Sequence, residues 1–249
     1  MEYVLEVRHF RKSYRDKVAV RDLSLSVAPG EICGFIGHNG AGKTTLIRSV
    51  VGAQPPTSGE VRVCGMDVWR EPVAAKRRMA YVPDNPDVYD FLTGVQYLDL
   101  IADVFGVGTE ERRRRAGELA GRLELSDALG DPVSAYSHGM RQKLVLVGAL
   151  LHDPTLLVLD EPFVGLDPSA SHELKAILRE RAEAGGAVFF SSHVLEVVER
   201  LCDTVAVIRA GELVASGPTD EVRGSESLED VFLELVDEKD GDAATRRTR

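Results

Sequence analysis

Three features of the 249-residue chain predict an α/β fold on a mostly parallel sheet, with a helical subdomain inserted into it. Short β-branched runs alternate with helical patterns, as parallel strands joined by crossover helices require. Two of those runs end in residues able to do phosphate or metal chemistry, where the carboxyl ends of strands in an open α/β sheet gather ligands. From about Asp84 to Asp153 the strand-like runs give way to helix-rich sequence.

Taken in order, "EICGFIG" is the first clear strand, followed by a glycine-rich loop and the helix "TLIRSVVG", which Gly52 closes. The helical stretch then holds "LTGVQYLDLIADVFGV", an arginine-bearing helix and "HGMRQKLVLVGALL". The α/β pattern resumes at Pro154 with the strands "TLLVLD", "AVFFSS" and "TVAVIR". The tail "DEKDGDAATRRTR" has no apolar residue but alanine and is expected to be disordered.

A chain this long buries a sizeable core without disulfides. Cys33, Cys64 and Cys202 are odd in number, far apart and at no zinc spacing, so they are expected to be buried reduced thiols. "MEYVLEVRHF" is expected to be neither signal peptide nor anchor, and no run approaches the roughly 18 apolar residues of a membrane span. The longest candidate is interrupted by His152, Asp153 and Pro154, and the chain is expected in the cytosol. A net charge of −10 argues against a general nucleic-acid binder. The one basic run, "EERRRR" from Glu110 to Arg115, reads either as a solvated helix face or as a contact for anionic lipid or a partner loop.

The glycine-rich loop "GHNGAGKTT" fits G-x-x-x-x-G-K-[ST] between a strand and a helix. Its residues Gly37, His38, Asn39, Gly40, Ala41, Gly42, Lys43, Thr44 and Thr45 form a candidate phosphate site. Glycines let backbone N–H groups turn inward on a β-phosphate, and the helix N-terminus adds positive potential. Lys43 would reach the β- and γ-phosphates, and the Thr44 hydroxyl would face Mg²⁺.

The buried strand "LLVLDEP" ends in adjacent carboxylates, which can divide the labour. Asp160 would hold Mg²⁺ through water while Glu161 accepts a proton from, or orients, the water that attacks the γ-phosphate. His193, in "FFSSHVLEVVE", follows the next strand in sequence and is placed as a donor sensing the γ-phosphate. A lone histidine is more commonly a satisfied surface or core group.

In this order, these pieces resemble the nucleotide-binding subunits of ATP-binding cassette (ABC) transporters over roughly residues 3 to 237. The resemblance implies a P-loop NTPase (RecA-like) core with an N-terminal antiparallel β-subdomain and a helical insertion at about 84–153. It places the ATPase domain at 1–222, and a C-terminal helix and disordered tail at 223–249. The implied cofactors are ATP and Mg²⁺. Tyr14 fits the aromatic that stacks on adenine, "GLD" at Gly165–Asp167 the loop across the dimer interface, and His193 the switch histidine.

"YSHGM" sits where the family carries its signature turn, usually Leu-Ser-Gly-Gly-Gln. By family logic, Ser137, Gly139 and a helix beginning at Met140 contact the nucleotide of the facing subunit, so one chain holds two half-sites. Tyr136, His138 and Met140 depart from the motif. Asp84 stands where the family commonly has a glutamine that senses the γ-phosphate and metal; it could still reach Mg²⁺ through water.

Together "YVPDNPDVYDFLTG", "YSHGMRQK" and "SLEDVFLELV" are similar to stand-alone bacterial cassettes that pair with a separately encoded permease, often an exporter. The implied partners are a second copy or a related ATPase subunit, and an integral-membrane permease that holds the chain peripherally at the cytoplasmic face. No nucleic acid is expected. A soluble ABC ATPase of translation, DNA repair or cofactor assembly is the competing class, and a non-catalytic ATP-dependent module is a third. Translation types usually carry two cassettes and repair types coiled coils or zinc modules, neither visible here; the third would be signalled by loss of Lys43 or Glu161, both present.

Overall fold

The computed structural model describes residues 2–15 and 17–235; the tail expected to be disordered lies outside them. Strands β1 (Leu5–Tyr14) and β2 (Lys17–Val27) form a long antiparallel hairpin with Tyr14 opposite Lys17 at its tip. Next come β3 (Ile32–Ile36), α1 (Lys43–Val50), β4 (Ser58–Val63), β5 (Met66–Asp67), α2 (Pro72–Lys76) and β6 (Met79–Val82). Three helices, α3 (Gly94–Phe105), α4 (Thr109–Arg122) and α5 (His138–Leu150), lie between β6 and β7 (Leu156–Asp160). The chain continues through α6 (Pro168–Glu183), β8 (Ala187–Ser192), α7 (Leu195–Leu201), β9 (Thr204–Arg209), β10 (Glu212–Pro218) and α8 (Thr219–Arg223). A last described helix spans 228–235.

The strand order is β5-β4-β1-β2-β10-β9-β3-β8-β7-β6. From β9 to β6 the neighbours run parallel, while β1, β2, β4 and β5 form an antiparallel lobe. Both faces of the parallel part are covered, which is why every residue of β3, β7 and β8 is buried and only the last residue of β7 and the last two of β8 are polar. The pleat sends alternate residues to opposite cores. Ile32, Ile36, Leu157, Leu159, Val188 and Phe190 join the core under α3 to α6. Cys33, Phe35, Leu156, Val158, Ala187 and Phe189 join the one shared with α1 and the antiparallel lobe.

Local signals set the helical insertion. Thr93 and Gln96 form a reciprocal capping box at the start of α3, and Gly106 ends that helix at φ 71°. The arginines of α4 are paired: Arg112 with Asp99 and Asp103, Arg113 with Glu110, Arg114 with Glu111 and Glu118, and Arg115 with Glu111 and the Leu151 carbonyl. The cysteines are free, but Cys64 is only half-buried, because it turns between β4 and β5 at φ 51° rather than lying inside a strand.

Candidate active site

The loop from Gly37 to Thr45 joins the end of β3 to α1. Gly42 caps that helix at φ 119°, and no side chain caps it. The helical ladder begins with Leu46 N–H on the Gly42 carbonyl, which leaves the first-turn N–H groups for a ligand. A cavity of about 650 Å³ lies in front of them, lined by His38, Asn39, Gly40, Gly42, Lys43, Thr44 and Thr45. Tyr14, from the tip of the β1–β2 hairpin, lines the same cavity, is 42% exposed, and has Lys12 Nζ 5.1 Å from its ring centroid. Gly37 lines an adjoining cavity of about 500 Å³ instead. Ala41 is buried behind the loop, where its carbonyl accepts from Gly211 N–H at 2.9 Å.

Lys43 is buried and donates to the Gly37 carbonyl at 2.6 Å, with Glu161 Oε1 3.9 Å away. Burial pulls its ammonium below the usual lysine range, and Glu161 and Asp160 oppose that pull. A buried cation lining the cavity can accept phosphate charge.

β7 and β8 are neighbours, and their register sets Asp160 opposite Ser191. Asp160 and Glu161 both line the cavity, but they emerge unequally. Asp160 is 1% exposed, since it still belongs to the buried strand, while Glu161 turns outward at φ 50°. The Ser191 hydroxyl donates to Asp160 Oδ1 and accepts from Glu161 N–H, while Asp160 Oδ2 is buried without a hydrogen-bond partner. Burial pushes the Asp160 carboxyl above the usual carboxylate range; Ser191 and Thr44 resist this, and Asp84 and Glu161 add to it. Asp84 lines both cavities with Glu161, and its Oδ1 accepts from Asn85 N–H at 2.9 Å. His193 follows β8, where its Nδ1 lies 2.8 Å from Glu161 Oε2 and its backbone N–H donates to the same oxygen at 3.2 Å.

These residues fit Mg²⁺. An orphaned, buried carboxylate oxygen beside a threonine hydroxyl and a phosphate cradle matches a cation that takes one or two carboxylates and completes its shell with phosphate and water.

Ser137 and Gly139 line neither cavity. The helix begins at His138 rather than Met140, because Ser137 is its N-cap and accepts from Met140 N–H at 3.3 Å. Gly139 abuts the loop at 165: a Cβ there would lie 2.6 Å from the Gly165 carbonyl oxygen, and one on Gly165 would lie 2.6 Å from His138 Nδ1. Asp167 caps α6 through Ala170 N–H and pairs with the buried Lys143 at 2.8 Å, also outside both cavities. The turn at 137–139 and the loop at 165–167 are therefore one interlocked surface.

The profile described as ABC transporter matches residues 20–164. An uncharacterized ABC transporter ATP-binding protein of Bacillus subtilis, YhcH, is 40% identical over 86% of this chain and 70% of its own length. The chain belongs to the ABC transporter ATP-binding family. Nod factor export ATP-binding protein I of Cupriavidus metallidurans is 35% identical over 96% of this chain and 78% of its own. A solved structure titled as the ATP binding subunit of an ABC transporter superposes with a TM-score of 0.90 at 33% identity, covering 94% of this chain and 99% of that one. The chain is thus an ATPase subunit with the P-loop cassette fold.

Sequence reasoning missed two members of this cassette's site. Ser191 holds the Asp160 carboxylate and the Glu161 backbone N–H; its signal was the serine pair ending "AVFFSS", polar residues where a buried strand meets a site. Lys143, one turn into α5, ties the signature helix to Asp167, and nothing in its local sequence marks that contact.

Proposed function

We propose that this cassette closes head-to-tail on ATP with a second copy or a related subunit and drives a separately encoded membrane permease, in the export direction. Lys43 and the first-turn N–H groups of α1 hold the phosphates, and Tyr14 receives the adenine. Thr44 and Asp160, with Asp84 through water, would hold Mg²⁺, which supplies charge neutralisation at the β- and γ-oxygens. Glu161 takes the proton of the attacking water as its oxygen bonds to the γ-phosphorus and the bond to the β–γ bridging oxygen breaks. His193, on Glu161 Oε2, orients that carboxylate. Ser137 and Gly139, away from their own chain's cavities, and Asp167 beside them complete the site of the facing subunit.

The observation that carries the transport reading is an apolar surface beside the helical insertion. Phe91 is 79% exposed and Tyr89 59%, with their ring centroids 5.6 Å apart; Val104 on α3 is 69% exposed, and an apolar groove of about 340 Å³ between β6 and α3 is lined in part by Tyr81, Ile101 and Phe105. Exposed large apolar groups in such a cluster mark a docking face. No helix among the described residues is long and apolar enough to cross a membrane, so the proposed occupant is a cytoplasmic helix of the permease. The name of the Cupriavidus relative supports export.

The test is to isolate membranes from the native host carrying a tagged Glu161→Gln chain and identify what co-purifies with ATP present. A multi-span permease lost on Phe91→Glu is the expected result. Recovery of ribosomes or DNA-repair proteins instead would favour a soluble ABC ATPase.

A further inference from the structure

The helix over 228–235 reaches back to the phosphate loop. Phe232 is 8% exposed, and its ring centroid lies 4.8 Å from that of His38 at an interplanar angle of 57°, within the range of favourable tilted aromatic pairs. The helix is anchored independently of that pair. Leu228 is fully buried and its N–H donates to Glu199 Oε2 at 2.9 Å; at the other end Arg209 donates to the Leu235 carbonyl. Arg209 ends β9, two residues before Gly211, whose N–H holds the Ala41 carbonyl. The His38 carbonyl accepts from Ala41 N–H at 3.0 Å and lies 3.5 Å from Lys43 Nζ. One ring contact therefore connects the C-terminal helix to the residue that shapes the lysine's surroundings.

We infer that Phe232 is a positioning residue for ATP: by stacking on His38 it orders the exposed 38–40 segment of the phosphate loop before the nucleotide arrives. This deepens the phosphate-loop reading and rests on it. Gly37 and Ala41 to Lys43 are buried in the fold on either side of the segment, whereas His38, Asn39 and Gly40 are exposed. A flexible segment must be ordered when it binds, and a contact that orders it in advance lowers that cost. Phe232 donates and accepts no proton, so its contribution belongs to affinity rather than to the chemical step.

The experiment is titration with a fluorescent ATP analogue, together with steady-state hydrolysis, of Phe232→Leu, Phe232→Ala, Phe232→Tyr, His38→Ala and the Phe232→Leu/His38→Ala pair. Phe232→Leu keeps apolar bulk in the core and removes the ring, and thermal melts establish that each variant is folded. A lone tilted pair predicts a rise in Kd of roughly 3- to 10-fold for Phe232→Leu, with kcat at saturating ATP within about 2-fold of wild type. Phe232→Tyr should restore affinity. The double variant should be no weaker than His38→Ala alone, since residues acting through one contact are not additive. Unchanged affinity in Phe232→Leu, or full additivity, overturns the inference. Lys43→Ala separates the two readings. If it keeps affinity, the phosphate loop is not the nucleotide site; if it loses affinity while the Phe232 variants do not, only the role of Phe232 is wrong.

Discussion

Two glycine-bearing turns lead into helices in this cassette, at 37–45 and at 137–139, and they differ in what satisfies the first helical turn. At the phosphate loop Gly42 offers no side-chain cap, and the N–H groups, a buried lysine and three carboxylates converge on one cavity. At the second turn Ser137 already caps its helix, Gly139 leaves no room for a Cβ against the Gly165 carbonyl, and neither residue lines the two cavities at the phosphate loop. The first turn faces a cavity of its own chain. The second is packed against the loop at 165 and lines neither the phosphate-loop cavity nor the one adjoining it.

Three substitutions sharpen that contrast, from the largest effect to the smallest. Glu161→Gln should slow hydrolysis about 100-fold or more while ATP still binds, since the amide fills the place of the carboxylate but takes no proton. Single-turnover hydrolysis measures it, and near wild-type turnover would move the base to another residue. Gly139→Ala tests the second turn without nucleotide: its Cβ would meet the Gly165 oxygen at 2.6 Å, and forced contacts of this kind cost about 1–3 kcal/mol. The expected result is a melting temperature lowered by several degrees in the nucleotide-free protein. An unchanged melt would leave the glycine to the facing nucleotide alone.

Asp160→Asn should do the opposite. Burial raises the folded pKa of Asp160 above its unfolded value, so its carboxyl loses stability as pH rises through the folded pKa. The asparagine should be more stable without metal or nucleotide at pH 7.5, by about 1 kcal/mol or roughly 2–4 °C in a chain this size. The gain should shrink toward pH 5. A destabilised asparagine variant would show that the Ser191 contact outweighs the desolvated charge.

What the sequence displayed and what it concealed divide along the same line. The strands at 32–36, 156–160, 187–192 and 204–209 were legible because both faces of a parallel strand are apolar. The phosphate loop was legible because its glycines, lysine and threonine are contiguous. The concealed features join residues far apart in the chain: Ser191 with Asp160 and Glu161, Lys143 with Asp167, Phe232 with His38. Such pairs are set by strand order and helix docking, which local patterns do not encode. Gly139 shows the intermediate case. The motif marked it as a contact for a facing phosphate, and the structure supplies a second reason for it in the close approach of Gly165.

The central claim is that the turn at 137–139 completes a site on another chain, and cysteine cross-linking tests it most directly. Burial pushes the Cys33 thiol up to about 12 and the Cys202 thiol well above its ordinary range, so only the half-buried Cys64 needs replacing by serine. Asn39→Cys and Ser137→Cys are then combined on the Glu161→Gln background and oxidised with and without ATP and Mg²⁺. A disulfide needs Cα atoms within about 7 Å, and a short bifunctional linker covers a longer gap. The expected result is a covalent dimer on a denaturing gel that forms only with ATP. A faster-running monomer, or no dimer at any ATP concentration, would contradict the head-to-tail arrangement and leave Ser137 as a helix cap alone.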